Sequence, residues 1–381
     1  MEDMTEPEHI FGAMRECETG VRWKASVQRF EIDSLRWAAT IRNGLRDDTF
    51  KTKGFMRFDI VERGKLRHIQ SVHISERAVQ KLLTQYALQP VIYPRLIYDN
   101  SASQVGKGTE FALKRLKEHL RWFIARYGKS GVIVIMDYHD YFGSIPHEGA
   151  IVSMAQKQTD PRICKHISVF VNAFDGDHGL GLGSETSQVG AICYPTPIDK
   201  LIKEKFRVHC YARYMDDSYM IFRTREEALA CYAEVKTEAA KLGIAINDRK
   251  TKIHNLAADD FEYLKKRVHI TETRKIIFRL TRQNIQDEQD RLIYLREEYE
   301  AGRMPLEAIL QSYQSWRGYA QKYNAHEAVH NMDRFFVAVF DDVLTELCNE
   351  LNKKHISFAH PPIGEIQKKK KEKEHESSGK S

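Results

Sequence analysis

At 381 residues, 42% hydrophobic and 29% charged, the chain can hold two or three domains with ample core and has a soluble globular composition. Its net charge of +6 is too small to demand a nucleic-acid partner by itself. No apolar stretch approaches the length of a membrane span, and the acidic start Met1-Glu-Asp-Met-Thr-Glu-Pro-Glu is no secretory signal. Six scattered cysteines (Cys17, Cys164, Cys193, Cys210, Cys231, Cys348) include no Cys-x-x-Cys pair. Neither a zinc ribbon nor a disulfide framework is expected, and reduced thiols in a cytoplasm are.

Residues 1–50 read as mostly helical, with Phe30, Ile32, Leu35, Ala38, Ala39 and Ile41 at a rough helical period. Residues 54–74 alternate like strands around a hairpin break at Arg63-Gly-Lys65. Glu76–Ala87 and Thr109–Tyr127 carry amphipathic helical patterns, separated by the polar loop Tyr98–Thr109. That loop is not a P-loop, because Lys107 is followed by Gly108 rather than Ser or Thr. Basic residues concentrate in Lys51–Arg77 and Lys107–Arg126, mixed with Phe55, Phe58, Phe111 and Trp122. The mixture suits a channel that neutralises phosphates and stacks bases, and equally suits solvated helix and strand faces. Residues 131–265 alternate buried strands with helices. After Leu280 the pattern is helical: Ile285–Tyr299, Leu306–Tyr323 and His326–Leu351 predict a three-helix unit with an aromatic core stripe. From Gly364 the chain is Lys/Glu/Ser-rich and predicted to be disordered.

The chemistry resides in acids. Gly131-Val-Ile-Val-Ile-Met136 has the continuous apolar character of a buried strand and ends in Asp137. Tyr214-Met-Asp-Asp217 interrupts the apolar run Tyr211 to Phe222 and predicts a hairpin: strand Cys210–Tyr214, an Asp-rich turn, strand Ser218–Phe222. Acids set in such segments require hydrogen bonds, a counter-charge or a metal. Carboxylates converging from separate strands suit magnesium and phosphoryl transfer. Asp137 and Asp216 would bridge two ions, with Asp217 assisting. Phe142 could press on the sugar of an incoming nucleotide, or serve as an ordinary core ring. Lys65, Arg67 and Arg77 are candidates for a triphosphate, or plain surface cations. Lys250 and Lys252 follow the hairpin, and a lysine there could protonate a leaving pyrophosphate.

In this order the residues resemble a reverse transcriptase from about residue 20 to about 340. The matching pieces are Phe58–Arg67 with Glu76–Gln80, Gly106–Thr109, Asp137–Phe142, Gly179–Gln188, Tyr214–Asp217, Asn247–Thr251 and Phe261–Leu264. The resemblance implies a mixed α/β (α+β) right-hand polymerase: fingers and palm with antiparallel sheet, and a helical thumb. The implied division is an N-terminal helical extension (1–50), fingers (51–130), palm (131–275, with a fingers insertion near 150–178), thumb (276–362) and Lys-rich tail (363–381). It assigns metal to Asp137, Asp216 and Asp217, the sugar gate to Phe142, triphosphate contact to Arg67 and the pyrophosphate side to Lys250. Leu182, Gly183, Gln188, Tyr214 and Met215 fall on the nucleotide site; Phe261, Tyr263 and Leu264 fall on the primer grip. Lys265 stands where bacterial enzymes usually have Gly.

The resemblance further implies two Mg2+ ions, with Mn2+ able to substitute, an RNA template, a DNA or RNA primer and deoxynucleoside triphosphates, with no membrane partner. Leu182-Gly-Ser-Glu-Thr-Ser-Gln188, with Leu in place of the usual Gln, looks like the reverse transcriptases of diversity-generating retroelements. Those enzymes are bacterial or phage-encoded, copy a template-repeat RNA with errors at adenines, and work with a small basic accessory protein. A stand-alone bacterial reverse transcriptase of antiphage defence, or a retron or group II-like one, is the alternative. A non-catalytic RNA-binding scaffold on a degenerate palm is the alternative of another class, opposed by the presence of all three acids.

Overall fold

In the computed structural model the described residues are 1–62, 65–181 and 183–346, with the backbone alone at 60–62 and 65–67. The side chains of Lys65 and Arg67, residues 63 and 64, Leu182, Cys348, the last residues of the predicted His326–Leu351 helix and the Lys-rich tail lie outside them. The chain divides into two compact units, Met1–Thr281 and Arg282 onward.

The first unit opens with helices α1 (Pro7–Glu18), α2 (Ala25–Ile32) and α3 (Ser34–Arg46). The apolar period read across 30–41 is broken at Asp33, where α2 ends and α3 begins. The direction change turns Ile32 and Leu35 outward while Phe30, Ala38 and Ile41 remain buried. These helices share one core with α4 (Ile74–Leu83), through Ile10, Met14, Val79 and Leu82 among others. Strands β1 (Phe55–Glu62) and β2 (Lys65–Val72) form the expected antiparallel hairpin just before α4. Helix α5 (Thr109–Tyr127) runs from Gly108 to Gly128, two glycines at positive φ that stop the helix at each end.

The centre of the unit is a four-stranded antiparallel sheet. Its strands are β3 (Val132–Met136), β4 (Tyr211–Tyr214), β5 (Asp217–Phe222) and β6 (Lys252–Asn255), in spatial order β4-β5-β3-β6. Ile133, Val134 and Met136 are fully buried because both faces are covered. On one face Met220 meets Cys231 of helix α9 (Arg225–Lys241); on the other the Tyr219 hydroxyl bonds His119 of α5 at 2.9 Å. That double cover explains the unbroken apolar run in β3. Between β3 and β4 lie α6 (His147–Ala155), α7 (Pro161–Val171) and α8 (Glu185–Cys193). A second antiparallel sheet, β7 (Phe261–Tyr263), β8 (Lys266–Ile270) and β9 (Ile276–Leu280), ends the unit.

The second unit is helical: α10 (Arg282–Glu300), α11 (Leu306–Gln321) and α12 (His326–Val339). Leu292, Leu295, Ile309, Tyr313, Met332, Phe336 and Phe340 form its core, with Tyr313 stacked on Phe336 at 4.4 Å. The aromatic stripe is therefore buried. Helix α12 breaks at Phe340 and residues 341–346 are helical again, so the helix that periodicity predicts over His326–Leu351 is interrupted, and 347–351 lie outside the described residues.

Candidate active site

Strand register brings the distant acids together. Met136 lies opposite Ser218 across β3 and β5, and one further step along both strands sets Asp137 against Asp217. Tyr214 pairs with Asp217, leaving Met215 and Asp216 as a two-residue turn. Asp217 is thus the first residue of β5 and not part of an Asp-rich turn; Asp216 alone of the two sits in the loop. Met215 has a φ of 54°, in the left-handed region where a side chain costs roughly 1 kcal/mol. A further loop comes in beside Asp137. The Asn247 N–H donates to the Asp137 carbonyl at 2.8 Å, and the following turn carries Lys250 to the Asp137 carboxylate, Nζ to Oδ2 2.5 Å.

The electrostatics show what this cluster lacks. Burial, together with the Asp216 and Asp137 carboxylates, pushes the Asp217 carboxyl from its ordinary 3.8 up to about 7, against the pull of Lys250 and Lys265. The Lys250 ammonium is shifted up, chiefly by its hydrogen bond to Asp137, and so stays protonated. Asp137 Oδ1 is buried with no hydrogen-bond partner. Among the described residues no three His, Cys, Asp or Glu side chains are arranged as a metal-ligand set, and Lys250 engages the Asp137 carboxylate. An orphaned carboxylate oxygen beside two further acids nevertheless fits a hard divalent cation, which takes oxygen ligands and offsets the crowded negative charge.

Of the candidate nucleotide-site residues, Arg77 lies on α4 and Gln188 on α8. Phe142 is half-buried against the core and meets Tyr141 edge-on at 5.8 Å. Gly183 has a φ of 105° and leads into α8, whose first residues are pinned by Gln80: its Oε1 accepts from Ser184 Oγ at 3.1 Å and from the Glu185 N–H at 3.0 Å. Gln188 is exposed one turn on and accepts from Ser103 Oγ at 3.3 Å. A cavity of about 390 Å³ opens here, lined in part by Arg77, Gln80, Lys81, Gly183, Glu185 and Gln188. Arg77 thus shares a cavity with Gly183 and Gln188. The primer-grip candidates behave differently. Phe261 and Tyr263 are each only 2% exposed, and Tyr263 packs edge-on against Tyr219 at 5.1 Å. The β7–β8 hairpin exposes Glu262, Lys265 and Arg267, with Leu264 half-buried, and its turn, Leu264 and Lys265, is at positive φ. The backbone keeps a conformation suited to glycine although Lys265 occupies it.

A family model described as reverse transcriptase (RNA-dependent DNA polymerase) matches residues 51–276. The chain belongs to the reverse transcriptase family. Its fold, antiparallel sheets with a separate helical unit, is that of a right-hand polymerase. Among solved structures it is similar to an apo telomerase from Candida tropicalis truncated from its C-terminal domain, at 12% identity and a TM-score of 0.45 over 64% of this chain and 60% of that one. It is also similar to telomerase from Candida albicans in complex with a fragment of telomeric RNA, at 9% identity and a TM-score of 0.45 over 81% of this chain and 62% of that one. The matches thus span about three fifths of the length of those telomerase chains. No curated protein matches. Among the described residues no helix is long and apolar enough to cross a membrane.

This reverse transcriptase also carries a support that motif reading passes over. Arg213, wholly buried in β4, donates Nε to Asp199 Oδ1 at 2.9 Å and Nη2 to Asp199 Oδ2 at 2.7 Å. Its remaining nitrogen, Nη1, reaches the Met215 carbonyl at 3.2 Å, inside the Tyr-Met-Asp-Asp turn. Tyr211 completes the site by donating its hydroxyl to Asp199 at 2.5 Å. On the other edge of β4, the Arg213 N–H donates to Asp99 O, and Arg213 O accepts from Ser101 N. The buried start of the polar loop, Asp99 to Ala102, is thus a brace for β4, the strand that leads into the Asp216 turn. A sequence signal existed: an arginine in the middle of an apolar strand needs a buried partner.

Proposed function

We propose that the chain is an RNA-directed DNA polymerase that extends a primer along an RNA template. The observation that carries this reading is the register that delivers Asp137 to the Asp216–Asp217 hairpin, with Lys250 alongside. Asp137, Asp216 and Asp217 would hold two magnesium ions, or manganese in their place. The ions supply activation of the primer 3′-hydroxyl and neutralisation of the triphosphate. The protein's own part is to aim the carboxylates from a rigid sheet and to keep a protonated lysine where pyrophosphate leaves. Phe142 would close the sugar site against a 2′-hydroxyl. Arg77, with Lys65 and Arg67, would meet the triphosphate. The turn at Leu264 and Lys265 would meet the primer.

The finer reading is an error-prone reverse transcriptase of a diversity-generating retroelement, working with a small basic accessory protein in the cytoplasm of a bacterium. It is supported by the motif from Leu182 to Gln188, in which an apolar residue replaces an amide, removing a hydrogen bond that would otherwise position the nucleotide. The test pairs the protein with Asp216→Ala on a primed RNA template with labelled deoxynucleotides and magnesium. Incorporation by the parent and none by the variant, with RNA binding retained, is expected. Equal behaviour of the two would refute the polymerase reading. Sequencing the cDNA from an adenine-rich template tests the subtype: errors concentrated opposite adenine support it, and evenly low error refutes it.

A further inference from the structure

The C-terminal end of α5 carries a cluster of half-exposed rings and arginines. Its inner face is core, with Leu116, Leu120, Phe123 and Ile124 buried. On its outer face Trp122 and Tyr127 are each 38% exposed and meet edge-to-face at 6.0 Å. The Trp122 ring also lies on the His209 ring at 4.2 Å. Two guanidinium groups sit over these rings: Arg126 is 5.7 Å from Trp122 and 5.8 Å from Tyr127, and Arg223 is 5.3 Å from Tyr127. Three separate chain segments therefore converge on one patch.

Two features distinguish this patch from an ordinary solvated face. Among the described residues neither Arg126 nor Arg223 is paired with a carboxylate. The nearby Glu227 is engaged in capping α9, where it accepts from the Arg223 and Thr224 N–H groups. Second, the aromatic faces hold the arginines by cation–π contact, which orders a planar fork of donors suited to phosphate. Rings left half open beside them suit an unstacked base. The patch is also remote from the catalytic carboxylates. Phe222 pairs with Val132 at the far end of β5 and β3, five residues from Asp137, or about 17 Å along the strand.

We propose that Trp122, Arg126, Tyr127, His209 and Arg223 form a binding surface for single-stranded RNA outside the catalytic groove, which holds a stretch of the template RNA on the enzyme. The arginines neutralise backbone phosphates and the rings stack a base. The assignment rests on the polymerase reading for the identity of the RNA, but its test reads binding and not synthesis.

The experiment is fluorescence anisotropy of the full chain with an end-labelled single-stranded RNA of about 20 nucleotides, in EDTA, across a salt series. Arg126→Ala/Arg223→Ala should weaken binding about tenfold and flatten the log–log salt dependence by about 1.4, for two phosphate contacts at about 0.7 each. Trp122→Ala should also weaken binding about tenfold, and Trp122→Phe should restore most of it. A thermal melt within about 2 °C of the parent shows that the variants are folded. Photo-crosslinking with 4-thiouridine RNA should label peptides containing Trp122 or Tyr127. Parent-like affinity and salt slope in the folded double variant, or crosslinks confined to other peptides, would overturn the proposal. Failure of the polymerase reading would instead appear as no synthesis by a parent protein that binds RNA through this patch.

Discussion

Asp217→Asn should make the metal-free protein more stable at alkaline pH while abolishing synthesis. The carboxyl of Asp217 rises from 3.8 to about 7 because it is buried beside Asp216 and Asp137. A carboxyl raised in the fold binds its proton more tightly there than in the unfolded chain. Stability is then highest below about pH 4 and is lost as pH climbs to about 7 and the buried group ionises. The difference corresponds to about 4 kcal/mol at most, and carboxylate rearrangement toward Lys250 reduces it to about 2. Asparagine mimics the neutral form at every pH. In EDTA, urea unfolding should show the variant about 2–4 kcal/mol more stable than the parent at pH 8, about 1 kcal/mol at pH 4.5, and within about 0.5 kcal/mol of it at pH 3. Magnesium should stabilise the parent at pH 8 and leave the variant nearly unmoved, since binding to the folded form alone raises stability by mass action. A variant less stable than the parent at pH 8, or a difference that is the same at pH 8 and pH 3, would refute the reasoning that these acids are a charge cluster awaiting a cation.

Other outcomes follow from the same geometry. Phe142→Ala should raise incorporation of ribonucleotides relative to deoxynucleotides by tenfold or more, about 1.4 kcal/mol of discrimination, read by single-nucleotide extension with competing substrates. Arg213→Met should cost about 3–5 kcal/mol, because Asp199 is left buried without its cation. Arg213→Lys should keep more of the fold yet lower kcat with little change in KM, since one ammonium cannot hold both Asp199 and the Met215 carbonyl. Lys265→Gly should stabilise the protein by about 1 kcal/mol in a thermal melt at pH 4.5, where Asp217 is protonated in the fold and loses little by the missing ammonium, by relieving a side chain at φ 59°.

The sequence by itself determined the residue types of the candidate site and the sequential order of its parts. Apolar run, acid, then an acid pair inside a second apolar run is a local pattern, and β3, the β4–β5 hairpin and α5 all stand where periodicity and turn residues put them. Burial of the helical unit's aromatic stripe was legible for the same reason, since a 3.6-residue period reports which face is covered. Where helices bend was not: Asp33 and Phe340 interrupt patterns that continue through them, and tertiary packing decides which of Ile32, Leu35, Ala38 and Ile41 faces the core. Long-range pairing was equally hidden. Only the folded sheet sets Asp137 opposite Asp217, gives Lys250 to Asp137, and places Asp199 under Arg213, because register and salt-bridge partners are fixed by contacts between segments dozens of residues apart. The primer-grip candidates show the limit most clearly. The piece from Phe261 to Leu264 was recognisable by resemblance, yet the alternation of a short strand against Tyr219 turns Phe261 and Tyr263 inward and leaves Glu262 and Lys265 exposed.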